Sequence, residues 1–295
     1  MARRKRIDPK TIAIVILSIL VVAEGYFLFV RQPRKAAVVK KETAVARPAK
    51  FPAAKKEEKA IVVPGKKIPA RPIAGHIAVI VDDCGYSLQP CDVSATLTAP
   101  VTFSVLPDLA HSQEVAQCVH DNGREVMLHL PMEPNNNSDK YPEDYIIKTT
   151  MRKTKVERIL AESLRSVPYA AGVNNHMGSK ATEDTNIMTI ILTALKKEGL
   201  FFVDSLVTDL SVGRKVASEL QVPFSKRDVF LDNINERSAI EKQFAHLADL
   251  ARKNGYAIGI GHARGLSLQI IKEQTELLEK EGFKFVTVQE LINKQ

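Results

Sequence analysis

Six residues of this chain have side chains suited to holding a metal ion or moving a proton, and each follows an apolar run. Ile77–Val81 runs into Asp82-Asp83, followed by Cys84-Gly85. Val126-Met127-Leu128 ends on His129, Phe201-Phe202-Val203 on Asp204-Ser205, and Ile258-Gly259-Ile260-Gly261 on His262. The run from Ala170 leads into Asn174-Asn175-His176-Met177-Gly178-Ser179. A carboxylate ending a buried strand is costly unless water, a cation or hydrogen-bond donors receive it. One such residue is an ordinary acidic turn or a satisfied core histidine. Five strand ends that deliver Asp or His to one rim need a common partner.

Imidazole with carboxylate suits zinc and similar divalent ions, and a catalytic site keeps one position open. Asp83, His129 and His176 supply three ligands, and Glu133, four residues after His129, could replace one of them. Such an ion acidifies its water and polarises a carbonyl. Asp82 is then the candidate base and His262 the candidate acid. Neighbouring side chains on a strand face opposite ways, so Asp82 and Asp83 share a site only if the chain leaves the strand there. Asp204 is a further catalytic candidate. Paired with Asp82 it would suit a glycosidase, a reading that leaves three histidines without work.

The elements that must position these residues begin at about residue 76. Eight strands are predicted, at 76–81, 101–105, 125–129, 170–174, 201–204, 229–231, 257–261 and 283–286, with helices between several of them. Helices over 110–122, 183–198, 236–254 and 267–281 each stop at a glycine. Thr154 to Glu157 reads as a capping box, and Thr287 to Glu290 as another before a last short helix. This pattern predicts an irregular (β/α) barrel of seven or eight strands, whose chemistry belongs at the carboxyl ends of the strands. An open doubly wound sheet is the alternative. VDDCG after the first strand is no glycine fingerprint, so no nucleotide cofactor is expected.

Four segments follow: a basic tail (1–10), an apolar span (11–30), a linker (31–72) and the folded domain (73–295). The span TIAIVILSILVVAEGYFLFV holds Glu24 as its one charge and matches the thickness of a bilayer. It reads as an uncleaved signal anchor, with a cleaved signal peptide as the competing reading. Residues 31–50 carry seven Lys and Arg, against the usual charge rule, yet a short tail before a first span favours a cytoplasmic N-terminus. The expected location is the cytoplasmic membrane, single-pass, with the folded domain on the extracytoplasmic side. The linker is rich in Lys, Ala and Pro and reads as a solvated, disordered spacer. Residues 1–72 contain 18 Lys and Arg against 5 Asp and Glu, a net of +13, while the remainder carries −5. The basic pI belongs to the appendage, and a nucleic-acid partner is not expected. Three cysteines cannot all pair within one chain; Cys84 and Cys91 could, if the loop between them folds back.

These motifs resemble the polysaccharide deacetylase superfamily, and within it the divergent polysaccharide deacetylase family. The resemblance rests on Ile80-Val81-Asp82-Asp83, His129-Leu130-Pro131-Met132-Glu133-Pro134, the Asn174–Ser179 segment, Phe202-Val203-Asp204-Ser205 and Gly259-Ile260-Gly261-His262. It covers about 76–292. It implies a distorted barrel and a metal-dependent hydrolase that removes acetyl groups from an acetylated polysaccharide or peptidoglycan-like glycan. It also implies Asp82 as base, Asp83 as metal ligand and His262 as acid. Two features depart from the family pattern. Glu133 stands where a second histidine is usual, leaving the third ligand between Glu133 and His176, and an arginine-proline motif is replaced by Asn174-Asn175-His176. The competing reading is a catalytically degenerate barrel that binds envelope glycan or scaffolds envelope proteins. Tyr86, Tyr141, Tyr145 and Arg264 are candidate sugar contacts, and the insert 134–150 a candidate lid.

Overall fold

A computed structural model describes residues 72–136 and 145–294. The predicted membrane span, nearly all of the linker, and Tyr141 in the insert lie outside the described residues. Among the described residues no helix is long and apolar enough to cross a membrane.

The chain alternates strands and helices from the first described strand to the last. Strands are β1 (Gly75–Cys84), β2 (Thr102–Val105), β3 (Val126–Met132), β4 (Ala170–Met177), β5 (Phe201–Asp204), β6 (Phe224–Lys226), β7 (Val229–Phe230), β8 (Tyr256–His262) and β9 (Phe283–Phe285). Helices are α1 (Gln89–Thr96), α2 (Ser112–Asp121), α3 (Lys153–Ser166), α4 (Ser179–Glu183), α5 (Thr185–Glu198), α6 (Gly213–Leu220), α7 (Arg237–Asn254), α8 (Gly265–Lys280) and α9 (Val288–Ile292). Every strand pairing is parallel, in the order β6-β5-β4-β3-β2-β1-β8-β7. Strand β9 adds to the start of β1.

The sheet curls, and the chain itself steps across its two ends. Strands β6 and β7 close opposite ends of the order, yet only Arg227 and Asp228 separate them. Arg227 N donates to Asp204 O of β5, and Asp228 N to Ile258 O of β8, each at 2.9 Å. The result is the expected irregular barrel with one non-strand crossing.

Two apolar layers explain the uninterrupted hydrophobic strands. Ile77, Val79 and Val81 pack in the outer layer with the helices. Ala78 and Ile80 pack with Met127, Phe201, Val203, Ile258 and Ile260 in the smaller inner cluster. Covering both faces leaves no polar alternation to read, as a parallel sheet requires.

All eight predicted strands are present. Strand β6 was not expected, because Phe-Ser-Lys is too short to show a period. Helices α1, α4 and α6 were also not expected; α1 has Pro90 in its first turn and little apolar face, and α4 is five residues long. The capping box at Thr154 is corrected: Arg152 holds the N-cap position without a side-chain bond, and Thr154 lies inside the first turn of α3. Thr287 does cap α9, accepting from Glu290 N at 3.1 Å. The predicted stops at Gly199 and Gly255 take left-handed φ values of 69° and 86°.

The disulfide joins Cys91 of α1 to Cys118 of α2. The pairing of Cys84 with Cys91 is therefore corrected. Cys84 continues β1 into the core, fully buried, with its Sγ donating to Val81 O.

Candidate metal centre

Strand alternation and one irregularity build this site. On β1 the inner face carries Ala78 and Ile80, so Asp82 is next in that row. By the same rule Asp83 would face the helices. Instead the register shifts between Val81 and Cys84, and Asp83 takes φ 60°. This bulge turns its carboxylate back to the inner face, as bulges beside sites commonly do. Both aspartates then serve one place although β1 runs on to Cys84. His129 follows Met127 on the inner face of β3, and His262 follows Ile258 and Ile260 on β8.

Asp83, His129 and His176 converge. His129 Nε2 lies 3.3 Å and His176 Nδ1 3.1 Å from Asp83 Oδ1, and the two nitrogens are 3.2 Å apart. A tetrahedral ion with bonds of about 2.0–2.1 Å sets its ligand atoms about 3.3–3.4 Å apart. The observed triangle is close to one face of that tetrahedron. Asp83 Oδ1 is also buried and accepts no hydrogen bond among the described residues, although two ring nitrogens face it. An orphaned carboxylate oxygen beside two converging nitrogens fits a divalent cation.

Glu133 does not join this triangle. Its Oε2 accepts from Thr149 N at 2.6 Å and Thr149 Oγ1 at 2.7 Å, and its Oε1 from Lys180 at 2.8 Å. Asp204 also stands apart. It shares the parity of Phe202, which packs outward, so its carboxylate points to its own loop. Its oxygens accept from Leu206 N at 2.8 Å and Ser211 Oγ at 2.5 Å. The pairing of Asp82 with Asp204 as two facing carboxylates is thus not formed.

A buried amide joins the ligand set to Asp82. Asn174 Nδ2 donates to Asp82 Oδ1 at 2.8 Å, while its Oδ1 lies 2.9 Å from His129 Nδ1 and accepts from Ser104 Oγ at 2.5 Å. The carbonyl fixes the proton on His129 Nδ1 and leaves Nε2 free to ligate. On the opposite side His262 Nε2 is 3.8 Å from Asp83 Oδ2, and His262 Nδ1 is 2.8 Å from Asp232 Oδ1. Asp232 Oδ2 accepts from His262 N at 3.0 Å and Ser267 Oγ at 2.5 Å.

The electrostatics follow from this packing. Burial pushes the Asp82 carboxyl up, against the pull of His129, Asn174 and His262. Burial would raise Asp83 too, but His129 and His176 overcome it and hold it well below the usual carboxylate range. Burial works against charge on His129, yet Asp82 and Asp83 raise it to about 8. His262 is likewise raised despite burial, chiefly by Asp232, which is itself lowered by the same contact.

Asp232 and Arg227 are the site residues that sequence reasoning missed. Asp232 directly follows the predicted strand 229–231, so the strand-end criterion used for the others would have found it. Arg227 sits in the unpredicted crossing between β6 and β7. Its Nε donates to Ser205 O at 2.6 Å and Nη2 to Leu206 O at 2.8 Å, and its guanidinium lies over Phe230. Arg227, Ser205 and Phe230 line a cleft of about 320 Å³ with Asp82, Asp83, His129, His176 and His262, and Asp232 stands behind His262 outside that lining.

The divergent polysaccharide deacetylase family matches residues 79–292, nearly the whole described part. The chain belongs to that family. The chain is 36% identical over 204 residues to the uncharacterized protein YibQ of Escherichia coli K12, covering 68% of this chain. The match spans 62% of that relative's length. An uncharacterized protein of Haemophilus influenzae Rd is 33% identical over 196 residues, covering 66% of this chain and 69% of its own. In structure, the chain is similar to the uncharacterized ATU2773 of Agrobacterium tumefaciens C58. The TM-score is 0.70 at 23% identity, over 74% of this chain and 89% of that one, a likeness of fold.

Proposed function

We propose that the chain is a membrane-anchored, metal-dependent hydrolase that removes acetyl groups from a cell-envelope carbohydrate polymer. The observation that carries this reading is the Asp83–His129–His176 triangle flanked by two differently tuned proton carriers. A divalent ion held there, with zinc the best match to the donor set, would polarise the acyl carbonyl and acidify water. Asp82, raised by burial, receives the proton that water gives up. Asn174 holds its Oδ1, which leaves Oδ2 for that task. His262 carries a proton at Nε2 and gives it to the departing amine or alkoxide. Asp232 accepts from the far side of the ring, which favours the charged imidazole and fixes its orientation. Family membership supports an acetylated glycan as the substrate class.

An extracytoplasmic location is part of the proposal. The Cys91–Cys118 disulfide supports it, because such bonds persist in oxidising compartments and are rare in the cytosol. The apolar segment 11–30 would be the anchor.

The test is metal content and acetate release by residues 73–295, with Asp82→Ala and Asp83→Ala as controls. Stoichiometric metal, lost in D83A, and acetate release, lost in both variants, are expected. Absence of metal from the wild-type domain sinks the reading. Glycan binding that survives D82A without any acetate release would instead make the barrel a glycan-binding module.

A further inference from the structure

Strand β7 is the weak wall of the barrel. It is two residues long and pairs on one side, Val229 with Gly259 and Phe230 with Ile260 of β8. Among the described residues no strand pairs with its other edge, because β6 lies at the far end of the sheet order. Yet Phe230 touches the site: its ring meets that of His262 with centroids 5.2 Å apart and planes at 62°. Asp232 holds the Nδ1 corner of the same imidazole at 2.8 Å. One hydrogen bond pins a corner and leaves the ring free to tilt about it. The edge-to-face contact with Phe230 fixes the plane.

What holds Phe230 therefore bears on where His262 Nε2 points. Arg227 holds it. The guanidinium lies over the Phe230 ring, with Cζ 4.8 Å from the centroid. Across the gap in the sheet its Nε donates to Ser205 O at 2.6 Å and its Nη2 to Leu206 O at 2.8 Å. Those carbonyls are firm anchors, because Ser205 N donates to Asn175 Oδ1 at 2.9 Å and Ser205 Oγ accepts from Asn174 Nδ2 at 3.2 Å. The clip thus runs from β4, through the loop after β5, over the gap, to the ring beside His262. Stacking on a ring while donating in plane to two carbonyls takes a flat cation with a fork of donors. Arg227 makes no ion pair among the described residues; Asp82, Asp204 and Asp228 act on it through their fields alone.

We infer that Arg227 is a positioning residue for the proton donor: through Phe230 it sets the plane of the His262 ring and so the direction in which Nε2 delivers its proton. This rests on the reading of His262 as the acid of the proposed deacetylation, and adds the residue that aims it.

The test separates the acid from the rest of the chemistry by leaving group. Para-nitrophenyl acetate expels a phenolate that needs no proton, whereas benzyl acetate expels an alkoxide that does. Both are given to the zinc-loaded full-length chain and its variants, with metal content and melting temperature recorded for each. Arg227→Met should lower the benzyl-to-nitrophenyl ratio of kcat about ten- to a hundredfold, since misaiming a catalytic group by about 1 Å can cost about 10²-fold. Phe230→Leu, which keeps bulk and loses the ring, should lower the ratio similarly. Arg227→Lys keeps the charge without the planar fork and should recover only part of it. That variant separates aiming from the field of the cation on Asp82, which acts on both esters alike. His262→Ala sets the full scale of the effect.

A second measurement needs no turnover. In the zinc-loaded chain carrying nitrogen-labelled histidine, the Nδ1 proton signal of His262 should broaden through exchange with water in R227M. An unchanged ratio in R227M and F230L, full recovery by R227K, or an unchanged His262 signal overturns the inference. Where R227M does not fold, the ratios of R227K and F230L decide it. Equal losses on both esters would leave the deacetylase reading standing and remove this one. Hydrolysis of neither ester by the wild type would count against the deacetylase reading, and the His262 signal would then decide this one.

Discussion

Replacing His176 and Glu133 separately tests which residue completes the ligand set. The sequence set Asp83, His129 and His176 as ligands and left Glu133, four residues after His129, as the alternative to His176. The geometry points to His176, whose Nδ1 is 3.1 Å from Asp83 Oδ1 and 3.2 Å from His129 Nε2. Glu133 instead ties Thr149 to Lys180. Zinc held by small protein sites is worth about 10–16 kcal/mol, or about 3–5 kcal/mol for each of three protein ligands. Water taking the vacated position returns part of that, so His176→Gln should lose about 2–4 kcal/mol, roughly 30- to 700-fold in affinity. Glu133→Gln should change zinc affinity less than about threefold, because only a peripheral ion pair and hydrogen bonds are altered. The assay is competition for zinc against a chromophoric chelator at fixed pH, with mass-spectrometric metal counting on the purified domain. Retention of wild-type affinity by H176Q, or an equal loss in E133Q, would refute the ligand assignment.

Three further perturbations follow from the same contacts. In the metal-free domain His129 is raised to about 8, so it holds a proton below that pH and must release it to ligate. Metal affinity should therefore fall about tenfold per unit as pH drops below about 8, and metal-free stability should decline as pH rises from about 6.5 through 8. Chelator competition and urea melts across pH 6–9 measure the two slopes, and flat profiles would contradict them. Asp232→Asn leaves His262 without its anionic acceptor, and acetate release should drop about ten- to a hundredfold with metal content unchanged, since such a bond is worth about 1.5–3 kcal/mol. Reducing Cys91–Cys118, which closes a loop of 27 residues' separation, should cost about 3.5 kcal/mol by chain entropy. That corresponds to roughly 10 °C in melting temperature for a domain of this size, read by calorimetry with and without reductant.

Much of the fold was legible because a parallel barrel writes itself in apolar runs separated by glycine-stopped helices. What escaped were elements too short or too polar to carry a period, namely β6, α1, α4 and α6. The site was legible in part for a related reason. Any strand end can be inspected for Asp or His, but the sequence does not say which face of a two-sided buried strand is the inner one. Asp204 illustrates this. It ends β5 as His262 ends β8, yet Phe202 packs outward and carries Asp204 with it, while Val203 and Ser205 hold the inner row. Asp232 was overlooked for the opposite reason: its two-residue strand was read, but the residue just beyond it was not.

The same parity argument bears on Asp82-Asp83. Regular alternation would give the site only Asp82, and leave Asp83 a buried charge against the helices. That arrangement would be costly and could not ligate. The register shift after Val81 and the left-handed Asp83 resolve both problems with one backbone irregularity. Aspartate visits that conformation more readily than most residues with a side chain. The pair is thus divided by geometry. Asp82 stays in register, held by the Asn174 amide and raised by burial, while Asp83 is turned into the imidazoles and held ionised. A raised carboxyl and an ionised one are made from adjacent, chemically identical residues because only one of them leaves the strand.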